Sequence, residues 1–171
     1  MKPWLLMFDS QCSVNSSRPV YILSRSILNE VIEKHYANTP QKNLLKQIVQ
    51  CKKYNMDKNF IVTSSVIYNL LASYPERDGI VCCIQGMLSE ESLASKLSPS
   101  ESTVKLAQLK QFEGLDICVV TEDDNEIKYC KNFSVKTQTS TEALEEINKL
   151  IQELTKWIWC FTYQHNYIVG N

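Results

Sequence analysis

Apolar residues recur along this chain at two spacings, and each stretch sorts by the one it follows. Residues 4–8 (WLLMF) are apolar without a break, which predicts a short strand covered on both faces. The polar residues 10–18 read as a loop. Residues 19–23 (PVYIL) read as a strand end or an extended approach to the next element. Ile27, Leu28, Val31, Ile32, His35 and Tyr36 then fall at helical spacing, with Ser24 or Ser26 available as N-cap. Leu44, Leu45, Ile48 and Val49 repeat that pattern until residues 55–59 break it. A third helix carries Val66, Ile67, Leu70, Leu71 and Tyr74, opening at Ser64-Ser65 and stopping before Pro75.

The second half alternates more clearly. Residues 80–87 fit a strand or a buried helix equally well, because so short an apolar run suits both. Residues 89–97 predict a short helix, interrupted by Ser98-Pro99-Ser100, and residues 101–112 predict the next, with Gly114 as its C′ residue. Residues 117–121 (ICVVT) make the clearest strand, and residues 133–137 predict another with Phe133 and Val135 on one face. Ala143, Leu144, Ile147, Leu150, Ile151 and Leu154 trace a long amphipathic helix from about Thr141. Strand and helix alternating in this way predict parallel βαβ units, hence one α/β domain over residues 1–156. Residues 157–171 form an aromatic tail that packs on the core or at an interface.

Composition narrows the functional classes. At 171 residues, 44% hydrophobic and 22% charged, the chain buries a core without covalent staples. Four glycines and five prolines are too few for the repeated tight turns of a sandwich or barrel. Eighteen basic against nineteen acidic side chains give a net charge of −1, so no overall positive field draws nucleic acid. The seven cysteines lack any CxxC or zinc-finger spacing and read as free, buried thiols of a reducing cytoplasm. The opening apolar run is too short for a signal sequence or a membrane span. A soluble, cytoplasmic protein is expected.

In a parallel sheet, sites form beyond the carboxyl ends of the strands. Asp9 directly follows residues 4–8, and Asp123 and Asp124 closely follow residues 117–121. Carboxylates gathered at one sheet edge repel one another unless a hard divalent cation lies between them. Such a cation activates water for phosphodiester hydrolysis.

The strand ending in aspartate (LLMFDS), the stretch SRSILNEV, and VVTEDDNEIK followed by FSVKTQTSTEAL together resemble a PIN-domain nuclease. The likeness spans most of the chain and is strongest over residues 101–144. It implies a PIN-like three-layer α/β/α fold with a central, mostly parallel sheet. It also implies an Mg2+- or Mn2+-dependent ribonuclease. By the resemblance, Asp9 is the first metal-binding aspartate and Glu30 the helix glutamate. Asp123 is the aspartate of the T-x-D signature, in Thr121-Glu122-Asp123, with the Thr121 hydroxyl orienting the loop. The implied catalytic set is Asp9, Glu30 and Asp123, with Glu101 as a further metal ligand. The departure lies at Glu101-Ser102-Thr103, where the family commonly has aspartate. Either Glu101 substitutes one residue early, or the third acid is absent and the chain is a catalytically impaired module binding RNA or a protein.

Each of these residues also has a plainer reading. Asp9 suits a turn, Glu30 an i,i+4 surface pair with Lys34, and Glu101 a first-turn acid favoured by the helix dipole. Glu122, Asp124 and Glu126 read as a solvated loop face, with Asp124 as a reserve ligand. His35 and His165 read as packed side chains, and Cys82-Cys83 as core. Lys42, Lys46, Lys52, Lys53 and Lys58 are the best basic cluster for RNA, or else a solvated helix face. Expected partners are RNA, a protein such as an antitoxin, or a second copy through the aromatic tail; no membrane is expected. An unrelated magnesium-binding regulatory α/β protein ranks third, because no middle strand ends in aspartate.

Overall fold

Three or four unbroken apolar residues suffice for a strand when helices cover both sides, and three such runs make the centre of this sheet. The computed structural model describes residue 14 and residues 17–111 and 114–169. Its strands are β1 (Val20–Leu23), β2 (Phe60–Thr63), β3 (Ser89–Glu91), β4 (Ile117–Val120) and β5 (Thr137–Gln138). Every residue of β1, β2 and β4 is buried. The sheet is entirely parallel, in the order β3-β2-β1-β4-β5. From β1 at the centre the chain steps outward to β3, then returns across β1 to β4. The switch point therefore lies between β1 and β4, where Leu23 pairs with Val120.

Among the described residues seven α-helices complete the three-layer α/β/α fold: α1 (Arg25–Glu33), α2 (Pro40–Cys51), α3 (Ser64–Ser73), α4 (Asp78–Met87), α5 (Pro99–Gln111), α6 (Asp124–Asn132) and α7 (Ser140–Val169). The two-residue alternation of the strands sends Tyr21, Leu23, Phe60, Val62 and Val120 to one face, against α1, α2, α3, α4 and α7. Val20, Ile22, Ile61, Ile117 and Val119 face α5 and α6 through Val104, Leu106, Ala107 and Cys130. Tyr21 stacks on Phe60 with ring centroids 5.4 Å apart, and its hydroxyl donates to Glu146, tying the central strand to α7. Burial, then that bond, hold the Tyr21 hydroxyl protonated well beyond its ordinary range.

Local structure settles some stretches that the sequence pattern left open and departs from it in others. Residues 4–8 and Asp9 lie outside the described residues, and the first described strand is residues 20–23, at the centre of the sheet. β2 has no separate signature, because FIVT runs straight into α3 with Thr63 as its N-cap. Residues 80–87 are helical, within α4. Residues 89–91 are strand, not helix, pairing through Ile61 to Thr63 at the sheet edge. Residues 133–136 end α6 instead of forming a strand. Ser134 takes the left-handed conformation at φ 57°, and the Val135 N–H reaches back to the Cys130 carbonyl at 2.9 Å, a Schellman-type stop. This leaves Phe133 43% exposed.

The cysteines split. Cys51, Cys118 and Cys130 are buried, with burial pushing the Cys118 thiol up to about 12. Cys82, Cys83 and Cys160 are exposed, so Cys82-Cys83 is not core: α4 turns both away from Val81 and Ile84, its buried side. Helix α7 runs through position 157 without a break, and Trp157 lies largely exposed. No helix among the described residues is long and apolar enough to cross a membrane.

Candidate functional site

Each strand of the sheet centre ends in a hydroxyl residue. Ser24 follows β1, Thr63 closes β2 with Ser64 and Ser65 after it, and Thr121 follows β4. Ser24, Thr63, Ser64 and Thr121 are all buried, and Ser102, in the first turn of α5, is buried beside them. The groups are joined by hydrogen bonds. Ser24 Oγ lies 2.7 Å from Ser26 Oγ, and Ser26 Oγ lies 3.2 Å from Thr121 Oγ1. Thr63 Oγ1 lies 2.7 Å from Ser102 Oγ, which donates to the Pro99 carbonyl at 2.7 Å. The Glu122 N–H donates to Ser26 Oγ at 3.1 Å and the Asp123 N–H to Thr121 Oγ1 at 3.1 Å, fixing the loop after β4. The hydroxyls thus satisfy one another and the neighbouring backbone.

Of the carboxylates expected here, Asp123 stands at the strand end, Glu30 and Glu101 lie elsewhere, and Asp9 falls outside the described residues. The residue after the central first strand is Ser24, and Asp9 lies outside the described residues. Glu30 sits six residues beyond Ser24, about 9 Å further along α1 at 1.5 Å per residue. There it pairs with Lys34 at 3.0 Å in an i,i+4 surface bridge. Glu101 is exposed, while its neighbour Ser102 takes the inward position. Asp123 does stand at the carboxyl end of β4, where its Oδ1 accepts from the Asn125 N–H at 2.8 Å and the Glu126 N–H at 3.3 Å. That is the work of an N-cap, and it starts α6.

Two acids taken from the pattern as solvated have defined structural roles. Glu122 Oε1 accepts from the Ser140 N–H at 2.9 Å, from the Ser140 hydroxyl, and from Gln41 Nε2 at 3.2 Å, so it joins α2 to the start of α7. Glu126 is 4% exposed; its Oε2 accepts from Ser100 Oγ at 2.8 Å, and its Oε1 has no partner. The signal for this second case was present in Asp123-Asp124-Asn125-Glu126, which has the spacing of a capping box and predicts a helix start.

These residues do not suit a hard divalent cation. Such an ion takes six to eight oxygen ligands as Ca2+, or an octahedron as Mg2+, and carboxylates neutralise its charge. Among the described residues no three His, Cys, Asp or Glu side chains gather in one place. The oxygens that do converge belong to neutral hydroxyls already engaged with one another.

The protein is similar in structure to a PilT N-terminus domain protein from the hyperthermophilic archaeon Sulfolobus solfataricus P2. The TM-score is 0.46 and the identity 17%, over 75% of this chain and 92% of that one. No family model and no curated protein matches the chain.

Proposed function

We propose that this chain is a PIN-like module without metal-dependent nuclease chemistry, acting by binding a protein partner. The observation that carries this reading is the hydroxyl network Ser24–Ser26–Thr121 and Thr63–Ser102 at the strand ends, where phosphodiester hydrolysis needs converging carboxylates. The charge on Asp123 serves α6, and that on Glu30 serves Lys34.

A protein partner is supported by the helical layer on one face of the sheet. Val31, Leu45, Val49, Ile80, Ile84 and Met87 line a groove of about 470 Å³ between α1, α2 and α4. Lys42 and Lys46 stand in its wall. Apolar floor and basic wall fit an amphipathic partner helix that carries acids beside its apolar face. These two belong to the wider basic cluster of the sequence, and their place beside an apolar groove favours protein over RNA.

The test has two parts. Purified protein with Mn2+ and single-stranded RNA is expected to cleave no faster than its Asp123→Asn variant; faster cleavage that the variant abolishes contradicts the reading. An acidic amphipathic peptide is expected to perturb amide resonances along the groove. The charge-reversed pair Lys42→Glu and Lys46→Glu should weaken its binding by about tenfold or more. Perturbation elsewhere, or none, rejects the groove as the partner surface.

A further inference from the structure

Glu91 closes β3 and is 4% exposed, yet among the described residues it makes no hydrogen bond or ion pair. It lines a cavity of about 430 Å³ with Thr63, Ser64, Ser65, Ser92 and Ser102. The β2–β3 register pairs Glu91 with Thr63, which sets both side chains on the α5 face of the sheet. A carboxylate accepts hydrogen bonds and donates none, so what matters is which hydrogens the wall can offer it.

The surrounding hydroxyls have none left. Ser64 donates to Glu90 Oε2 at 3.0 Å, Ser65 to the Leu97 carbonyl at 2.7 Å and Ser102 to the Pro99 carbonyl at 2.7 Å. Each hydroxyl carries a single hydrogen. Thr63, 2.7 Å from Ser102 Oγ, therefore donates to it, and Ser92, 2.7 Å from Ser64 Oγ, donates to that oxygen. The cavity wall is thus rich in acceptors and holds a carboxylate, open to the cavity, whose nearest hydroxyls all point their hydrogens elsewhere. The remaining side-chain donors in the wall, Ser95, Tyr68 and Lys96, are exposed.

The geometry points to a binding site for a small organic cation, one whose guanidinium or primary ammonium group donates to Glu91. A single positive charge with several N–H donors matches one carboxylate ringed by acceptor oxygens. A hard divalent ion does not, since one carboxylate leaves most of its charge and coordination unmet. Tyr68, 70% exposed and part of the same wall, adds an aromatic face of the kind that attracts such cations. The site lies toward the β3 side of the sheet edge and does not depend on whether that edge cuts RNA.

The probes are n-butylguanidinium and n-butylammonium, with n-butylurea as the neutral isostere, titrated into the full chain and followed by amide chemical shifts. At least one cation is expected to bind saturably, with perturbations at Thr63, Ser92 and Ser95. Its affinity should fall about tenfold or more in Glu91→Gln, and butylurea should bind about tenfold more weakly or worse. Glu91→Gln removes an unpaired charge, so it should melt no lower than the parent. Ser95→Trp, which fills the cavity from an exposed position, should also block the probe, while Lys96→Ala should leave it bound. Equal binding by butylurea, binding unaffected by Glu91→Gln, or no saturable binding by either cation overturns the proposal. It also falls if Lys96→Ala and Glu91→Gln lower the melting temperature equally and without further loss in combination, for Lys96 is then the carboxylate's partner.

Discussion

Ser102→Asp, which supplies the acid that the PIN resemblance expects near this position, should destabilise the protein by about 3 kcal/mol or more at neutral pH. Ser102 is buried, and its hydroxyl sits between Thr63 Oγ1 and the Pro99 carbonyl. A carboxylate there keeps at most the Thr63 hydrogen, loses the bond to Pro99, and faces Glu91 across a shared cavity. The new acid can escape the penalty only by staying protonated, which raises its folded-state pKa above the unfolded value near 3.9. By linkage, the variant's deficit is small below about pH 4 and grows as pH rises toward the raised folded pKa. Urea unfolding at several pH values measures this, and repeating it with Mn2+ adds a second readout. A deficit unchanged by the metal supports a hydroxyl edge built to stay neutral. A variant as stable as the parent, or one that Mn2+ restores, shows an edge prepared for a cation.

Phe60→Ala should cost about 3–5 kcal/mol, the range for truncating a fully buried aromatic side chain. Phe60 opens β2, is fully buried, and stacks on Tyr21 of the central strand. Its loss opens a cavity between the sheet and the helices around α2, and frees Tyr21 to shift from its bond with Glu146. Against a typical total of about 5–15 kcal/mol, this is a large part of the stability. Denaturant unfolding of the variant reads the loss directly. A loss below about 1 kcal/mol would mean that β2 is not the wall of the core it is taken to be.

What the sequence made legible follows from length. Long elements carry several turns of pattern, so α1, α2, α3, α5 and α7 stand out from their buried stripes, and β4 from its unbroken apolar run beside a polar loop. The parallel α/β class followed from their alternation. The errors gather where an element is short or where capping decides. FIVT before Ser64 offers four residues and no turn residue, so β2 carries no strand signal of its own. SEE at β3 is polar because it is an edge strand, and a polar triplet resembles the first turn of a helix.

The site was harder to read because its order of acids is visible and its geometry is not. The apolar run at residues 4–8 stands before an aspartate and drew the first-strand assignment. The run that occupies the sheet centre, VYIL, stands before a serine. Seen from that strand, the residues following β1 and β2 and opening α5 are Ser24, Ser64-Ser65 and Ser102, and of the implied catalytic acids among the described residues only Asp123 stands at a strand end. Glu30 followed its plainer reading, since the helical spacing of Ile27, Leu28, Val31 and Ile32 already turned it outward toward Lys34. Glu126 is the reverse case. It looked solvated in a loop, and one turn of helix buried it against Ser100.

The most direct measurement on the central claim is Mn2+ binding by the unmodified protein, read by calorimetry and by paramagnetic broadening of amide resonances at Ser24, Ser102 and Asp123. A neutral hydroxyl edge predicts no saturable binding at sub-millimolar metal, and broadening at these residues no stronger than at exposed carboxylates elsewhere. Stoichiometric, saturable binding that centres on these residues and disappears in Asp123→Asn would contradict it.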